Sequence, residues 1–484
     1  MQKTWNTLKR ISVCILAVVL IFSCAAPASA KSGVKEPLII VNGMGESPLL
    51  LPSGDVAWPP SMDAITRAAL KVVPLVPLLP ISRDAFSKRA YPILRDLFDD
   101  IAYLPDGTPK HALGQLRFPD SYAKDKTGKI DSVSHGGFAR RYGTDVSYQF
   151  VIDWRESGIV EAKRLNTFIE KVKAETGSKT VKVMAVSMGG GVIMGYLAKY
   201  GHKSLSTVIL MHTVFQGLPV VGDLFNQRLT FDAKAIQMYL KQSMAGSEPW
   251  LSIVTLLLGA LRAAGILDPV LNGVEALVNY LNPELFQEFM GPIFAQLPGF
   301  WGLVSSPDYE AAKALLLDPV THKGLIAKID DYHYNVFNKT PQILKAAMKD
   351  GVRCYVLSGY NQIAIPVGPN ALNHTDDGLA TERTSGGATC MPLGEHFPAN
   401  YKQAVQDGHN HIDPDRMIDA STCILPEQTW FQKDLGHASF FSDECLDFLL
   451  WLANSDQLLN VRSSAKYPQF MAYNRVTGAL APLK

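Results

Sequence analysis

The sequence predicts an α/β protein, a mostly parallel central sheet flanked by helices and interrupted by a large, mainly helical cap or lid insertion. Three observations predict it. Short apolar runs at 37–42, 180–186, 205–211 and 353–358 have the length and Val/Ile/Leu content of strands buried on both faces. Helical periodicity follows two of them, and a further strand and helix pair at 146–176 keeps the same rhythm. That rhythm stops after Met211 and resumes at Arg353, which sets off 214–348 as the insertion.

The chain opens on a different signal. Lys3, Lys9 and Arg10 precede an apolar run over 11–22, and Ala28-Ser29-Ala30 fits a signal-peptidase site, so 1–30 reads as a secretory leader with the mature chain starting at Lys31. A lipoprotein box ending in an acylated Cys24 competes with it, against the bulk of Phe22. The expectation is an exported, extracytoplasmic protein. Loss of the leader's three basic residues leaves 43 basic against 45 acidic, a net charge near −2 that offers nothing to a nucleic acid. The rest of the 484 residues suits one α/β core with insertions: a first part over 31–213, the cap over 214–348 and a second part over 349–484. Four cysteines remain, Cys354, Cys390, Cys423 and Cys445, and loop-like surroundings favour a Cys390–Cys423 disulfide.

Residues 37–42 form the first expected strand, opening into Gly43-Met44-Gly45, a tight loop whose Met44 amide is a candidate oxyanion donor. Residues 48–143 read as an irregular, proline-rich excursion over the mouth of a site, and the prolines keep 72–81 from being a regular helix. The strand at 146–154 ends in Asp153-Trp154-Arg155. An amphipathic helix over 158–176 turns Leu165, Phe168, Ile169 and Val172 inward, and Gly177 closes it.

Val183-Met184-Ala185-Val186-Ser187-Met188-Gly189-Gly190-Gly191 is the most informative stretch. An apolar strand runs into a serine flanked by Ala185 and Gly189 and then into a helix, the pattern of a nucleophile elbow. Small residues are needed because the turn leaves no room for side chains, and the amide of Met188 at the helix start is the second candidate oxyanion donor. A glycine-eased turn with a chance serine is the competing reading. The glycine spacing fits neither a dinucleotide fingerprint nor a P-loop.

A serine hydroxyl needs a base to take its proton and an acid to orient that base, in the chain order Ser, acid, His. Asn373-His374-Thr375-Asp376-Asp377-Gly378 supplies the acid: Asp377, with Asp376 as the fallback; Asn361 stands at the end of the preceding strand but is neutral. His396, His409, His411 and His437 follow, and His437 lies between a last strand at 428–432 and a closing helix at 442–454. His409-Asn410-His411-Ile412-Asp413 looks like a fragment of a metallohydrolase motif, but Pro414 replaces a further histidine and the stretch reads as a surface loop, with weak calcium binding conceivable. The reading requires no cofactor and no metal.

Gly43-Met44-Gly45, Asp153-Trp154-Arg155, Ala185-Val186-Ser187-Met188-Gly189-Gly190 and Asp377-Gly378 together resemble the bacterial lipases, and more specifically the lecithin:cholesterol acyltransferase-like branch of the α/β-hydrolases. The resemblance spans about half the chain, in core elements. Val186 departs from the usual histidine of the elbow, and Leu379-Ala380-Thr381 departs from the usual continuation of the acid motif. The resemblance implies the α/β-hydrolase fold and acyl-ester substrates, with Ser187 acylated by a lipid and then deacylated; it also implies a bracing role for Asp153-Trp154-Arg155. The leading expectation is an exported serine esterase or lipase acting on lipid or other acyl esters, with transient contact with a membrane or lipid interface. Acyl transfer by the same triad, and a non-catalytic lipid-binding envelope protein, are the alternatives.

Overall fold

The structure, a computed structural model, describes residues 35–45, 48–78, 81–115, 120–125, 135–228, 286–363, 380–437 and 442–484, with positions 230, 235, 238, 239, 273, 284, 368 and 369. The expected leader, Asp376, Asp377 and the apolar stretch 250–261 lie outside them. The unit Pro37–Lys484 carries all the architecture discussed below.

Eight strands make the central sheet: β1 Leu38–Val41, β2 Ser147–Phe150, β3 Val181–Val186, β4 Leu205–Met211, β5 Arg353–Tyr360, β6 Thr429–Lys433, β7 Phe470–Tyr473 and β8 Leu480–Pro482. Their spatial order is β8-β7-β6-β5-β4-β3-β1-β2. All neighbours are parallel except β7 with β8. The order reverses at β1, with β2 on one side and β3 on the other; in open α/β sheets such a switch point opens a crevice at the carboxyl ends of the strands.

The inner strands read as unbroken apolar runs because both faces of the sheet are covered. Ile39, Val41, Val183, Ala185, Val208 and Leu210 belong to one core, while Leu38, Ile40, Met184, Val186, Ile209 and Met211 belong to the other. Nine helices serve as landmarks: α1 Met62–Val72, α2 Arg83–Asp96, α3 Gly136–Tyr142, α4 Gly158–Thr176, α5 Met188–Tyr200, α6 Ser306–Leu316, α7 Lys323–Asn335, α8 Thr340–Lys349 and α9 Asp443–Asn454. Buried side chains of α4, α5 and α8 fill the first core, those of α3 and α9 the second. The boundaries of α4 follow from its ends: Ser157 Oγ accepts from Val160 N, and Gly177 adopts φ 68°.

The excursion over 48–143 is more regular than its prolines suggest. It contains α1, α2, α3 and a three-stranded antiparallel sheet of Leu49–Leu50, Val56–Trp58 and Gly114–Gln115. The overlooked signals are caps: Ser61 accepts from Ala64 N and Ser82 from Ala85 N, each with an aspartate in the first turn. The prolines act only locally, holding Val73–Leu78 to a 3₁₀ turn. The strand expected at 146–154 stops at Phe150, and the tail supplies β7 and β8 beyond α9. In the segment 214–348, the described helices pack into the first core through residues such as Trp301, Tyr309 and Ile329. No helix among the described residues is long and apolar enough to cross a membrane.

Two further expectations are corrected. The Cys390–Cys423 disulfide is not formed: the two residues pack as thiols in one small apolar cluster, Cys390 Sγ donating to Ala388 O while burial pushes the Cys423 thiol up to about 12. His409–Asp413 is not a surface loop, since His411 and Asp413 are buried.

Candidate active site

Ser187 sits where β3 gives way to α5, with φ 52° and ψ −122°. A non-glycine residue in that region carries strain of about 1–3 kcal/mol, which surrounding packing must hold. The packing is visible at the glycines that follow. A Cβ on Gly189 would lie 2.5 Å from Asn42 O and 2.9 Å from Val41 O, and one on Gly190 would lie 2.1 Å from Thr213 Oγ1. Glycine therefore lets α5 start against the end of β1, at the switch point of the sheet. The same approach brings the Asn42-Gly43-Met44 loop beside the elbow, anchored by Ile152 N donating to Asn42 Oδ1 at 2.9 Å. Met188 opens the first turn of α5, where backbone amides lack intrahelical acceptors.

Ser187 is one of a row. His212, Asn361 and Asp434 directly follow β4, β5 and β6, and they too have positive φ, at 46°, 66° and 63°. Each backbone turns left-handed as it leaves its strand. Ser187 N still donates to Met211 O, His212 N to Leu357 O and Asp434 N to Tyr360 O, so the ladder extends one residue before the chain turns away. Four residues with positive φ thus stand on adjacent carboxyl ends, which makes this edge the candidate site.

The side chains of this row meet in pairs. Asn361 Nδ2 donates to Asp434 Oδ1 at 2.7 Å, and Gln362 Nε2 reaches the same oxygen at 3.3 Å. The His437 ring lies against His212, with the two Nδ1 atoms 3.1 Å apart. One nitrogen donates and the other accepts. Complete burial, reinforced by the nearby His437, holds His212 well below the usual histidine range, so its ring is neutral at ordinary pH. Among the described residues, Ser187 Oγ and His437 are not hydrogen-bonded to each other.

A crevice beside Ser187 is walled by Trp154, Glu161, Met188, Val214, Leu303 and Tyr332. Its volume of about 30 Å³ holds about one water, against about 300–1,000 Å³ for a ligand pocket. The wall is rigidly braced. Arg155 clasps Asp153 through Nε–Oδ1 at 3.0 Å and Nη2–Oδ2 at 2.8 Å, both residues buried. Gly299 N donates to Arg155 O, tying the crevice's far wall to the same turn. Glu161 accepts from Asp153 N and pairs with Arg164, yet burial outweighs both contacts and raises its carboxyl to about 7.

No family model matches the chain, and no curated protein matches it. Two solved structures show faint likenesses. The chain is similar to one from the Tle4–Tli4 complex at 14% identity and TM-score 0.20, over 40% of this chain and 48% of that one, so it spans about half of that neighbour. It is also similar to a thermophilic esterase from Thermogutta terrifontis with malate bound, at 12% identity and TM-score 0.25 over 70% and 88% of the two chains. Likenesses of this strength carry no argument about what the chain does, and the site stands on its own geometry.

Of the residues singled out in the sequence, Ser187 and Met188 stand at the switch point against the end of β1, Met44 follows two residues after Asn42 and is exposed, and His437 lies beyond the end of β6. His212 was missed. Its signal was its place: it directly follows the run 205–211, as Ser187 follows 180–186.

Proposed function

We propose that the chain is an exported serine hydrolase of carboxylic esters, of the α/β-hydrolase type, with Ser187 as nucleophile and His437 as general base. The observation that carries this reading is the strained Ser187 at a strand-to-helix junction on the switch point, heading a row of left-handed residues along the carboxyl edge. The role asked of His437 needs its Nδ1 protonated, so that Nε2 presents a lone pair to the serine hydroxyl, and His212 packs against that ring. Asp377 is the proposed carboxylate of the triad, completing the charge stabilisation of the imidazolium formed on proton transfer.

The reaction follows from these roles. His437 Nε2 takes the Ser187 proton as Oγ attacks the ester carbonyl, and the oxyanion is met by the amides of Met188 and Met44. Collapse expels the alcohol, which takes the proton back from His437, and leaves an acyl-serine for water to resolve. Apolar residues on the crevice wall, Val214, Leu303 and Tyr332, favour an acyl chain over a charged acid, and the substrate is read as a lipid ester met at an interface. The crevice must widen to admit it. A series of p-nitrophenyl esters from acetate to palmitate, assayed with detergent, tests the reading. Hydrolysis lost in Ser187→Ala supports it; turnover unchanged in that variant rejects it.

A further inference from the structure

Away from the carboxyl edge, at the start of β6, lies a cluster with no part in the chemistry above. Asp407, His411 and Glu427 place one ligand atom each within 4.8 Å of one another. His411 is buried, and its two nitrogens face different partners. Nδ1 lies 2.8 Å from Gln469 Oε1; the amide nitrogen of Gln469 is occupied by Pro426 O and Thr429 O, so Oε1 is the acceptor and Nδ1 carries the proton. In the neutral ring Nε2 then presents a lone pair, and what it faces is not a donor: Asp407 Oδ2 stands at 2.9 Å and Glu427 Oε1 at 3.8 Å.

Three electron-rich atoms converging on one point ask for a cation between them. Donors around a tetrahedral zinc, at 2.0–2.2 Å from the metal, stand about 3.3–3.6 Å apart, and the two separations bracket that range. The outer shell has the form such sites take, with the far ring nitrogen of the histidine fixed by a hydrogen bond, here to Gln469. Arg462 holds Glu427 Oε2 at 2.6 Å and leaves Oε1 turned to the histidine. The His409 ring stands beside the cluster, its centroid 4.6 Å from that of His411 and its Nε2 buried without a hydrogen-bond partner among the described residues, although it is not one of the three converging ligands.

We propose that Asp407, His411 and Glu427 bind a divalent cation of the zinc class. The imidazole donor of His411 favours zinc over calcium. The ion would clamp the 403–411 loop to the turn that starts β6, the strand that carries His437 at its other end, and so would act on stability rather than on bond-making.

The test uses the full purified chain stripped with EDTA, titrated with zinc chloride and separately with calcium chloride, followed by equilibrium dialysis and thermal unfolding. The proposal predicts one zinc per chain and, at saturating zinc, a Tm rise of about 3 °C or more. Asp407→Asn and Glu427→Gln should each weaken zinc at least about tenfold, and Gln469→Ala, which touches no metal, by about 10–100-fold. Asp407 is partly exposed, so its variant folds even if a change at buried His411 does not. Absence of bound zinc at micromolar concentrations, wild-type affinity in both carboxylate variants, or calcium bound in preference to zinc would each overturn the proposal.

Discussion

Replacing Gly190 by alanine sets two effects of opposite sign against each other. Helix propensity alone favours alanine by up to about 1 kcal/mol at a helical glycine. The structure predicts the reverse, because the added methyl would sit 2.1 Å from Thr213 Oγ1, 2.2 Å from Cγ2 and 2.7 Å from Cβ, and Thr213 is buried with no room to withdraw. Overpacking costs about 1–3 kcal/mol and an approach this close belongs at the upper end, so a net loss of about 2 kcal/mol remains. Urea unfolding of the two proteins measures it. The natural control is Gly137→Ala in α3, where the new methyl meets Leu446 Cδ1 at 3.4 Å, ordinary contact, and the propensity gain should appear undiminished. A second control trims the obstacle: in Thr213→Gly all three clashing atoms are gone, and a double-mutant cycle should return a favourable coupling of about 1 kcal/mol or more. If Gly190→Ala is as stable as the parent while Gly137→Ala behaves as stated, α5 is not held by close packing and the account of the strained serine loses its support.

Other expectations follow from the same geometry. Ser187→Gly should unfold about 1 kcal/mol later than Ser187→Ala in urea, because only glycine relieves a φ of 52°. Glu161 is raised to about 7 from 4.5 in the folded chain, so between those values the folded state binds more protons than the unfolded one. Stability should therefore fall as pH rises through that window, by roughly 1 kcal/mol per pH unit at most, and Glu161→Gln should flatten the slope. Asp153→Ala strands the buried Arg155 guanidinium and should cost about 3–5 kcal/mol in a denaturant melt. On the proposed mechanism, His437→Ala removes nearly all ester turnover, and adding Ser187→Ala lowers it scarcely further, since the two act as a unit.

The sheet was legible where burial on both faces imposes unbroken apolar runs: β4 falls on its expected residues, and β1, β3, β5 and β6 lie within a residue or two of theirs. Helix α4 matches because its cap serine and closing glycine are local signals. What escaped was non-local or masked by composition. The helices of 48–143 lay behind prolines that distort only their own turns, and the last two strands follow a helix that looks like an ending. Within the site, the elbow could be read because a strand, a serine and close-packed glycines are contiguous. His212 could not, since its place beside His437 comes from the pairing of β4 with β3 and from a ring carried in on the loop after β6. The Asp407–His411–Glu427 cluster likewise joins two segments around a histidine whose burial the sequence of the loop conceals.

The central claim, an activated serine at position 187, is tested most directly by covalent capture. The purified chain is incubated with a long-chain alkyl fluorophosphonate, with and without detergent, beside Ser187→Ala, and intact mass is read. The account predicts a single phosphonyl adduct on the parent and none on the variant. No adduct on folded parent protein in detergent, or an equal adduct on Ser187→Ala, would contradict it.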